Sequence, residues 1–242
     1  RPPRSTLFPY TTLFRSWLAA LALGLFLKPL LAWAMLHDEV LAVERALAES
    51  ADAGRAQLAR LVSRDVSALA PHEVREAAIE SLAENLNDSL VAPLFWFVLL
   101  GLPGAALFRF ANTADAMWGY AGERGGRDWR WAGRWAARAD DGLAWLPARI
   151  TAGLIGVLGR LRGWRRLPAE ARRTPSPNGG WPMAAMALAL GVRLGKPGGY
   201  ARHAAGRVAQ PSDTLRACAV GSHCALAATL LACAALVGAA VA

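Results

Sequence analysis

Long apolar blocks are the feature of this sequence that most constrains its fold. Residues 217–242 contain no Asp, Glu, Lys or Arg, and residues 90–100 form a second apolar run. A helix needs about 20 apolar residues to span a bilayer, whereas helices of soluble domains alternate apolar and polar faces. Hydrophobic residues make up 55% of the chain. We therefore predict an all-α, polytopic helical membrane protein.

Three segments are predicted to enter the membrane. Residues 17–35 and 217–242 read as membrane helices, and residues 90–108 read as a span that the Gly101–Gly104 sequence can kink or break. Residues 37–70 have apolar positions at helical spacing among charges, which predicts amphipathic helices outside the bilayer or at its surface. The first and last predicted membrane helices thus lie on either side of a partly polar central part of the sequence.

Charge is distributed unevenly around a net charge of +9. Residues 38–88 hold eleven acids and five arginines, whereas residues 109–216 hold eighteen basic residues and seven acids. Between apolar spans, such basic segments are typical of membrane-flanking loops. We take residues 160–180, with six arginines and one acid, as the cytoplasmic marker, and we expect no nucleic-acid partner.

The first sixteen residues do not resemble the remainder. Residues 1–16 look like translated sequencing-adapter sequence, and we expect them to be a non-native leader in front of a single helical membrane domain over residues 17–242. On this interpretation the natural amino terminus is missing. Residues 181–194 form a further apolar helix that is too short to span a membrane.

An acidic stripe precedes the second apolar run. At about 100° per residue, one helical face carries the acids and the other carries Val74, Ala78, Leu82 and Leu86. The polar face comprises Glu73, Glu76, Glu80, Glu84, Asn87 and Asp88. Pro71 and Glu73 are typical of a helix start. We predict that the stripe holds a metal ion or a cationic substrate group; the alternative is the solvated face of an amphipathic helix.

Other polar residues have open interpretations. Arg75 falls on the apolar face of the acidic helix, where it either extends toward water or reaches an anionic ligand. Arg138, Asp141 and Arg149 share a helical stripe, so they either pair with one another or serve a site. Arg149 is costly in an apolar segment unless it is paired. The cysteines and histidines form no metal or redox motif.

Several short motifs, in order, resemble the CobD/CbiB family of cobalamin biosynthesis. They are Arg64-Asp65, the stretch from Glu80 to Pro93, Asn112-Thr113 with Asp115-Ala116-Met117, Gly119-Tyr120, Glu123-Arg124, Arg138 with Asp140-Asp141, Trp145 to Arg149, and Ser176-Pro177-Asn178. Each motif alone is weak. Together and at suitable spacing they are specific, and the resemblance runs from about Lys28 to the end of the chain.

The resemblance implies an inner-membrane, multi-pass enzyme, an adenosylcobinamide-phosphate synthase. Such an enzyme joins adenosylcobyric acid to an aminopropanol phosphate through an ATP-dependent amide bond, with Mg²⁺. Candidate catalytic residues are then Glu80, Glu84, Asp88, Asp115, Asp140 and Asp141, with Glu84 and Asp88 as metal ligands. Candidate substrate-binding residues are Arg64, Asn85, Asn112, Arg124, Arg138, Arg149 and Asn178. Other cobalamin-assembly membrane enzymes are expected partners, beside the lipid bilayer.

Two features keep a second hypothesis open. Ala116 and Met183 stand where the family pattern leads us to expect Ser and Glu, and residues 122–126 match no phosphate-binding loop. ATP therefore enters only through the resemblance. The alternative is a non-catalytic membrane sensor or transport component of related fold, similar to AmpE-like proteins.

Overall fold

The computed structural model describes residues 9–119, 122–124, 126–174, 176–196 and 199–241, which are mainly helical. The α-helices are α1 (Pro9–Leu27), α2 (Trp33–Glu49), α3 (Ala51–Leu58), α4 (Pro71–Leu86), α5 (Ala92–Trp118), α6 (Arg130–Leu158), α7 (Leu167–Ala171), α8 (Gly180–Leu190) and α9 (Pro211–Val241). Two antiparallel hairpins connect them, β1 (Glu123–Arg124) with β2 (Arg127–Asp128) and β3 (Leu194–Gly195) with β4 (Ala201–Arg202). The predicted all-α class is confirmed.

Among the described residues, three helical stretches are long and apolar enough to cross a membrane: Leu18–Glu49, Pro71–Trp118 and Pro211–Ala239. The predicted spans 17–35, 90–108 and 217–242 lie in these stretches, except for residue 17 and residues 240–242. A 3₁₀ turn at Lys28–Leu30 divides the first stretch, where a proline removes a helical hydrogen bond. Helix α1 begins within the predicted leader, and α9 begins before the predicted Ala217.

Helix α5 is kinked at the predicted position. Gly101 has φ 66° and ψ −156°, a conformation that a side chain would strain, and Pro103 follows two residues later. The two halves of α5 therefore run in different directions. The second half brings Arg109 and Asn112 back toward α4.

Helix α4 lies at the centre of the fold and packs against α2, α3, α8 and α9. It begins as predicted: the amide of Ala70 donates to Glu73 Oε2 at 2.7 Å. Val74, Ala78, Leu82 and Leu86 are fully buried, which confirms the apolar face.

The opposite face of α4 is also covered. Glu76 is 2% exposed and Glu80 is 5% exposed, because α8 and β3 pack against this side of the helix. The alternative of a solvated acidic face is therefore wrong for these two residues. A carboxylate is buried only when a partner compensates for its lost hydration.

Arg75 has a partner that the sequence did not indicate. Its Nε donates to Glu44 Oε1 at 2.9 Å, and the Thr214 hydroxyl donates to Glu44 Oε2 at 2.9 Å. This cluster connects α4, α2 and α9. Arg75 therefore does not extend alone toward water but pairs within the fold.

Helix α8 is the predicted short apolar helix, and almost every side chain from Pro182 to Leu190 is buried. It ends at Leu190 rather than at Leu194, because Gly191 adopts φ 69° and terminates the helix. The chain then enters the β3–β4 hairpin, which crosses the acidic side of α4.

Candidate active site

Two arginines near or in the β3–β4 hairpin form ion pairs with Glu76 and Glu80 of α4. Arg193 Nη2 lies 3.3 Å from Glu76 Oε1, and the fully buried Arg202 forms an ion pair with Glu80. Arg64 Nη2 is 3.9 Å from the other Glu80 oxygen. Glu80 was predicted to be catalytic, but its carboxylate is held between two arginines.

Glu84 and Asp88 lie one and two turns further along, beyond these arginines. Neither forms a salt bridge with any cation in the part of the chain that the structure describes. Glu84 lies against the loop before α8, where a Cβ atom added to Gly179 would be 2.5 Å from Glu84 Oε1. These two predicted carboxylates are therefore available to hold a cation.

A π-helical turn at Asn87–Val91 carries Asp88. Single π-turns are rare and frequently mark functional sites, since they change the direction of the side chains that follow. Here Asn87 Nδ2 donates to Asp88 Oδ1 at 2.8 Å, while the buried Thr151 hydroxyl lies 3.0 Å from Asn87 Oδ1. Arg109 Nη1 donates to the Asp88 carbonyl at 3.1 Å. The Asp88 carboxylate is thus fixed in position.

Asp140 of α6 lies near this π-helical turn and is hydrogen-bonded to Asn112 of α5. Asn112 Nδ2 donates to Asp140 Oδ1 at 3.2 Å, and the charges of Asp88 and Asp140 are close enough to interact. Burial, with a smaller contribution from Asp88, raises the pKa of Asp140 to about 7. Asp140 can therefore exchange a proton near neutral pH.

The Ser176-Pro177-Asn178 motif is attached to α6 by Asp141 and Arg149. The buried Asn178 donates through Nδ2 to the Asp141 carbonyl at 2.8 Å and accepts from Arg149 Nη1 at 3.0 Å. The Arg149 guanidinium also lies over the rings of Trp145 and Trp181, at 4.2 and 4.9 Å. Arg149 is therefore paired and stacked, and it positions the loop that contacts Glu84.

We expect Arg149→Lys to lower the free energy of unfolding by about 1–3 kcal/mol, because an ammonium group cannot reproduce both the planar stacking and the forked hydrogen bonds. The measurement is thermal unfolding in detergent micelles. Arg138→Lys is the matched control, because Arg138 is exposed on the same helix. Equal destabilisation by both substitutions would contradict the assigned role of Arg149.

The remaining predicted site residues are more peripheral. Asp115 and Asp141 are partly exposed on α5 and α6, and their charges interact. Arg138 is exposed. The pairing of Arg138 with Asp141, one of the two interpretations of the helical stripe, is not seen among the described residues. The side chain of Arg124 lies outside the described residues. These four stay predictions.

Two clefts meet beside the carboxylates. The polar cleft, of about 250 Å³, lies between α4 and the β3–β4 hairpin and includes Arg64, Glu84 and Lys196. The large cleft, of about 440 Å³, lies between α2, α4 and α5 and includes Arg109 and Asn112. Both clefts share Leu61, Ser81 and Asn85. A ligand in one cleft is therefore next to a ligand in the other.

Both positions at which the chain departs from the expected family pattern lie on cleft walls. Met183 lines the polar cleft and Ala116 lines the large cleft. Neither residue can ionise or coordinate a hard cation. Any substrate contact at these positions is made through apolar groups or the backbone.

The carboxylates fit Mg²⁺ in one respect. In the described part of the chain no group of three or more His, Cys, Asp or Glu side chains is arranged to hold a metal ion. Magnesium, however, is commonly bound by one or two carboxylates together with water and substrate phosphates. Glu84 and Asp88, which lack a cationic partner, form such a pair, and the magnesium site stays a prediction.

Sequence reasoning missed several residues of this region. They are Thr151, Arg109, Lys196, Tyr200 and Arg202. Arg109 carried a detectable signal, since an arginine so close to an apolar span requires a partner. The others become relevant only through contacts between distant segments, such as the pair of Arg202 with Glu80.

The chain is similar to a known protein family over most of its length. A family model described as CobD/Cbib protein matches residues 5–230. A probable cobalamin biosynthesis protein CobD of Methanothermobacter thermautotrophicus is 46% identical over 183 residues, covering 73% of this chain and 60% of that relative. A cobalamin biosynthesis protein CobD of Chromobacterium violaceum is 50% identical over 165 residues, covering 66% of this chain and 50% of the relative.

A third relative shows a similar degree of similarity. A probable cobalamin biosynthesis protein CobD of Thermococcus kodakarensis is 43% identical over 175 residues, covering 72% of this chain and 56% of that protein. The chain thus spans between half and three-fifths of the length of these relatives. No solved structure matches it. The family match across most of the residues shows that the chain belongs to the CobD/CbiB family.

Proposed function

We propose that this protein is an adenosylcobinamide-phosphate synthase that joins adenosylcobyric acid to an aminopropanol phosphate through an amide bond. Family membership and relatives named as cobalamin biosynthesis proteins support a role in that pathway. ATP is the proposed energy source and Mg²⁺ the proposed metal ion. The proposed location is the bacterial inner membrane, with several passes.

The observation that carries this proposal is the meeting of the two clefts at Ser81 and Asn85, beside Glu84. A ligase must hold two substrates with their reacting atoms in contact. The large cleft combines apolar walls from Met35 and Leu36 with polar groups, which suits a bulky amphipathic corrinoid. The smaller polar cleft suits a short charged substrate.

The proposed chemistry makes Glu84 the proton acceptor and places both Glu84 and Asp88 at the metal ion. The terminal phosphoryl group of ATP activates the corrinoid carboxylate, the amine forms the new C–N bond, and phosphate departs with one carboxylate oxygen. The attacking amine must lose a proton, and Glu84 is the carboxylate on the wall of the polar cleft that can accept it. Asp88, fixed by Asn87, would hold Mg²⁺ together with Glu84. The ion would supply positive charge that screens the phosphates.

Two substrate-orienting groups accompany these carboxylates. Asn85 lines both clefts, where an amide can donate to one substrate and accept from the other. Asn112 lines the large cleft and donates to Asp140. The basic segment 160–174 is proposed to face the cytoplasm, where other cobalamin-assembly membrane enzymes are candidate partners.

The test is product formation by membranes that contain the chain. With adenosylcobyric acid, aminopropanol phosphate, ATP and Mg²⁺, mass spectrometry should detect the amide product. The product should disappear when ATP or either substrate is omitted. Absence of product from correctly inserted protein would favour the non-catalytic alternative.

A further inference from the structure

An apolar groove lies between α5, α6 and α9, and it shares no lining residue with the two clefts beside the carboxylates. It has a volume of about 230 Å³, and every side chain that lines it is apolar. Its walls are residues between 91 and 99 of the π-helical turn and α5, Ile150 and Leu154 of α6, and residues between 228 and 235 of α9. The α5 and α9 walls belong to stretches that are apolar enough to span a membrane, and Leu231 is 59% exposed. The groove therefore opens toward the hydrocarbon region of the bilayer, where acyl chains are the available apolar groups.

The exposed apolar surface of α6 extends from this groove to the end of the helix. At about 100° per residue, Ile150, Leu154 and Val157 lie within about 60° of one another. Val157 is 67% exposed, and Leu158, the last residue of α6, is 37% exposed. At a rise of about 1.5 Å per residue, Leu158 lies about 6 Å beyond Leu154 along the helix. The apolar surface thus reaches from the groove to the loop that follows α6.

Exposed arginines begin directly after α6. The arginine cluster comprises Arg160, Arg162, Arg165 and Arg166. The acid of the same loop does not compensate them, because Glu170 pairs with Arg173 at 3.0 Å and accepts from the His203 amide at 2.8 Å. Among the described residues, no acid forms an ion pair with a member of the cluster. The cluster therefore presents positive charge that this part of the protein leaves unpaired.

Trp164 lies inside the arginine cluster and attaches it to α6. Its ring packs against Gly156, where an added Cβ atom would collide with the ring, and the residue is 45% exposed. Tryptophan is enriched at membrane–water interfaces because its ring is apolar while its N–H is polar. The arginine cluster is therefore next to a side chain suited to the level of the lipid headgroups, while the groove is suited to the acyl chains.

We propose that an anionic phospholipid binds at this position, with an acyl chain in the groove and its phosphate on the arginine cluster. Arginine forms forked hydrogen bonds with phosphate oxygens. An anionic lipid brings net negative charge to these unpaired cations, whereas a choline headgroup carries its own compensating positive charge. The groove accepts the acyl chain of either lipid, so the headgroup determines the preference. A transmembrane helix of another protein would cover the groove but would leave the arginine cluster unpaired.

Native mass spectrometry of the purified chain in detergent micelles tests the preference. The probes are phosphatidylglycerol and phosphatidylcholine with the same acyl chains. A basic residue near an anionic membrane surface contributes about fivefold to affinity. With Arg160 and Arg162 nearest the end of α6, the wild-type chain should prefer phosphatidylglycerol by about 25-fold. Arg160→Gln and Arg162→Gln should each lower that preference by about fivefold.

Arg45→Gln provides the control with the same change in charge. Arg45 is exposed on α2, and its neighbour Glu44 pairs with Arg75 near the start of α4. Arg75 is about 24 Å of helix before Val91 at the groove. The control should keep the wild-type preference. Equal retention of the two lipids by wild type, or a preference that neither cluster variant reduces, would contradict the proposal.

A phosphatidylglycerol with a photoreactive group near the end of one acyl chain locates the bound lipid. Peptide mass spectrometry should find cross-links to the groove residues of α5 and α9. Ala235→Phe should remove most of them because the ring fills the groove, whereas Ala234→Phe should not, because Ala234 is exposed on α9 outside the groove. Cross-links confined to other surfaces, or unchanged by Ala235→Phe, would overturn the groove as the acyl-chain site. These measurements do not require amide formation, so the proposal holds or fails independently of the proposed function.

Discussion

Glu84→Gln is expected to lower the rate of amide formation by at least about 100-fold, the usual size of a general-base contribution. Glutamine has nearly the same shape as glutamate but cannot accept the proton of the amine or hold a metal ion by charge. Asp88→Asn should have a similar effect. Membrane insertion and thermal stability should remain at the wild-type level, since neither carboxylate forms a described salt bridge.

Glu73→Gln provides the matched control on the same helix. Glu73 accepts from the Ala70 amide, and a glutamine oxygen can accept that hydrogen bond as well. This variant should retain a rate within about threefold of wild type. Wild-type turnover by Glu84→Gln would remove Glu84 from the mechanism.

Glu80→Ala is expected to act on stability instead, lowering the free energy of unfolding by about 3–5 kcal/mol. The substitution leaves Arg202 fully buried without its carboxylate partner. The measurement is denaturant unfolding in detergent micelles, with helical signal as the readout.

The double variant Glu80→Leu with Arg202→Met tests whether the unpaired charge of Arg202 causes the loss of stability. Replacing both charges with apolar side chains of similar size removes the unpaired cation, so stability should return close to the wild-type value. A single Glu80→Ala variant as stable as wild type would show that the pair does not hold the hairpin against α4. A double variant as unstable as the single one would point to packing instead of charge.

The start of α4, the kink in α5 and the long apolar α9 were predictable because their causes are local. Proline and glutamate in a first turn, a glycine beside a proline and an unbroken apolar run act within a few residues. The buried apolar face of α4 followed from its period in the same way. Short-range rules therefore identified the elements that surround the site.

The state of the acidic stripe was not predictable in this manner. Whether an acid on α4 is free or neutralised depends on the β3–β4 hairpin, and Arg202 is 122 residues from Glu80 in the chain. No local pattern distinguishes Glu80 from Glu84. The π-helical turn at Asn87–Val91 also lacked a signal in the residues, since its geometry depends on contacts with Thr151 and Arg109.

The most direct test of the central claim compares amide formation by membranes containing the wild-type chain, Glu84→Gln and Glu73→Gln. Each sample receives adenosylcobyric acid, aminopropanol phosphate, ATP and Mg²⁺, and mass spectrometry measures adenosylcobinamide phosphate. The carboxylate site at the junction of the clefts predicts ATP-dependent product from wild type and Glu73→Gln, and at least about 100-fold less from Glu84→Gln. Equal product from all three would contradict it.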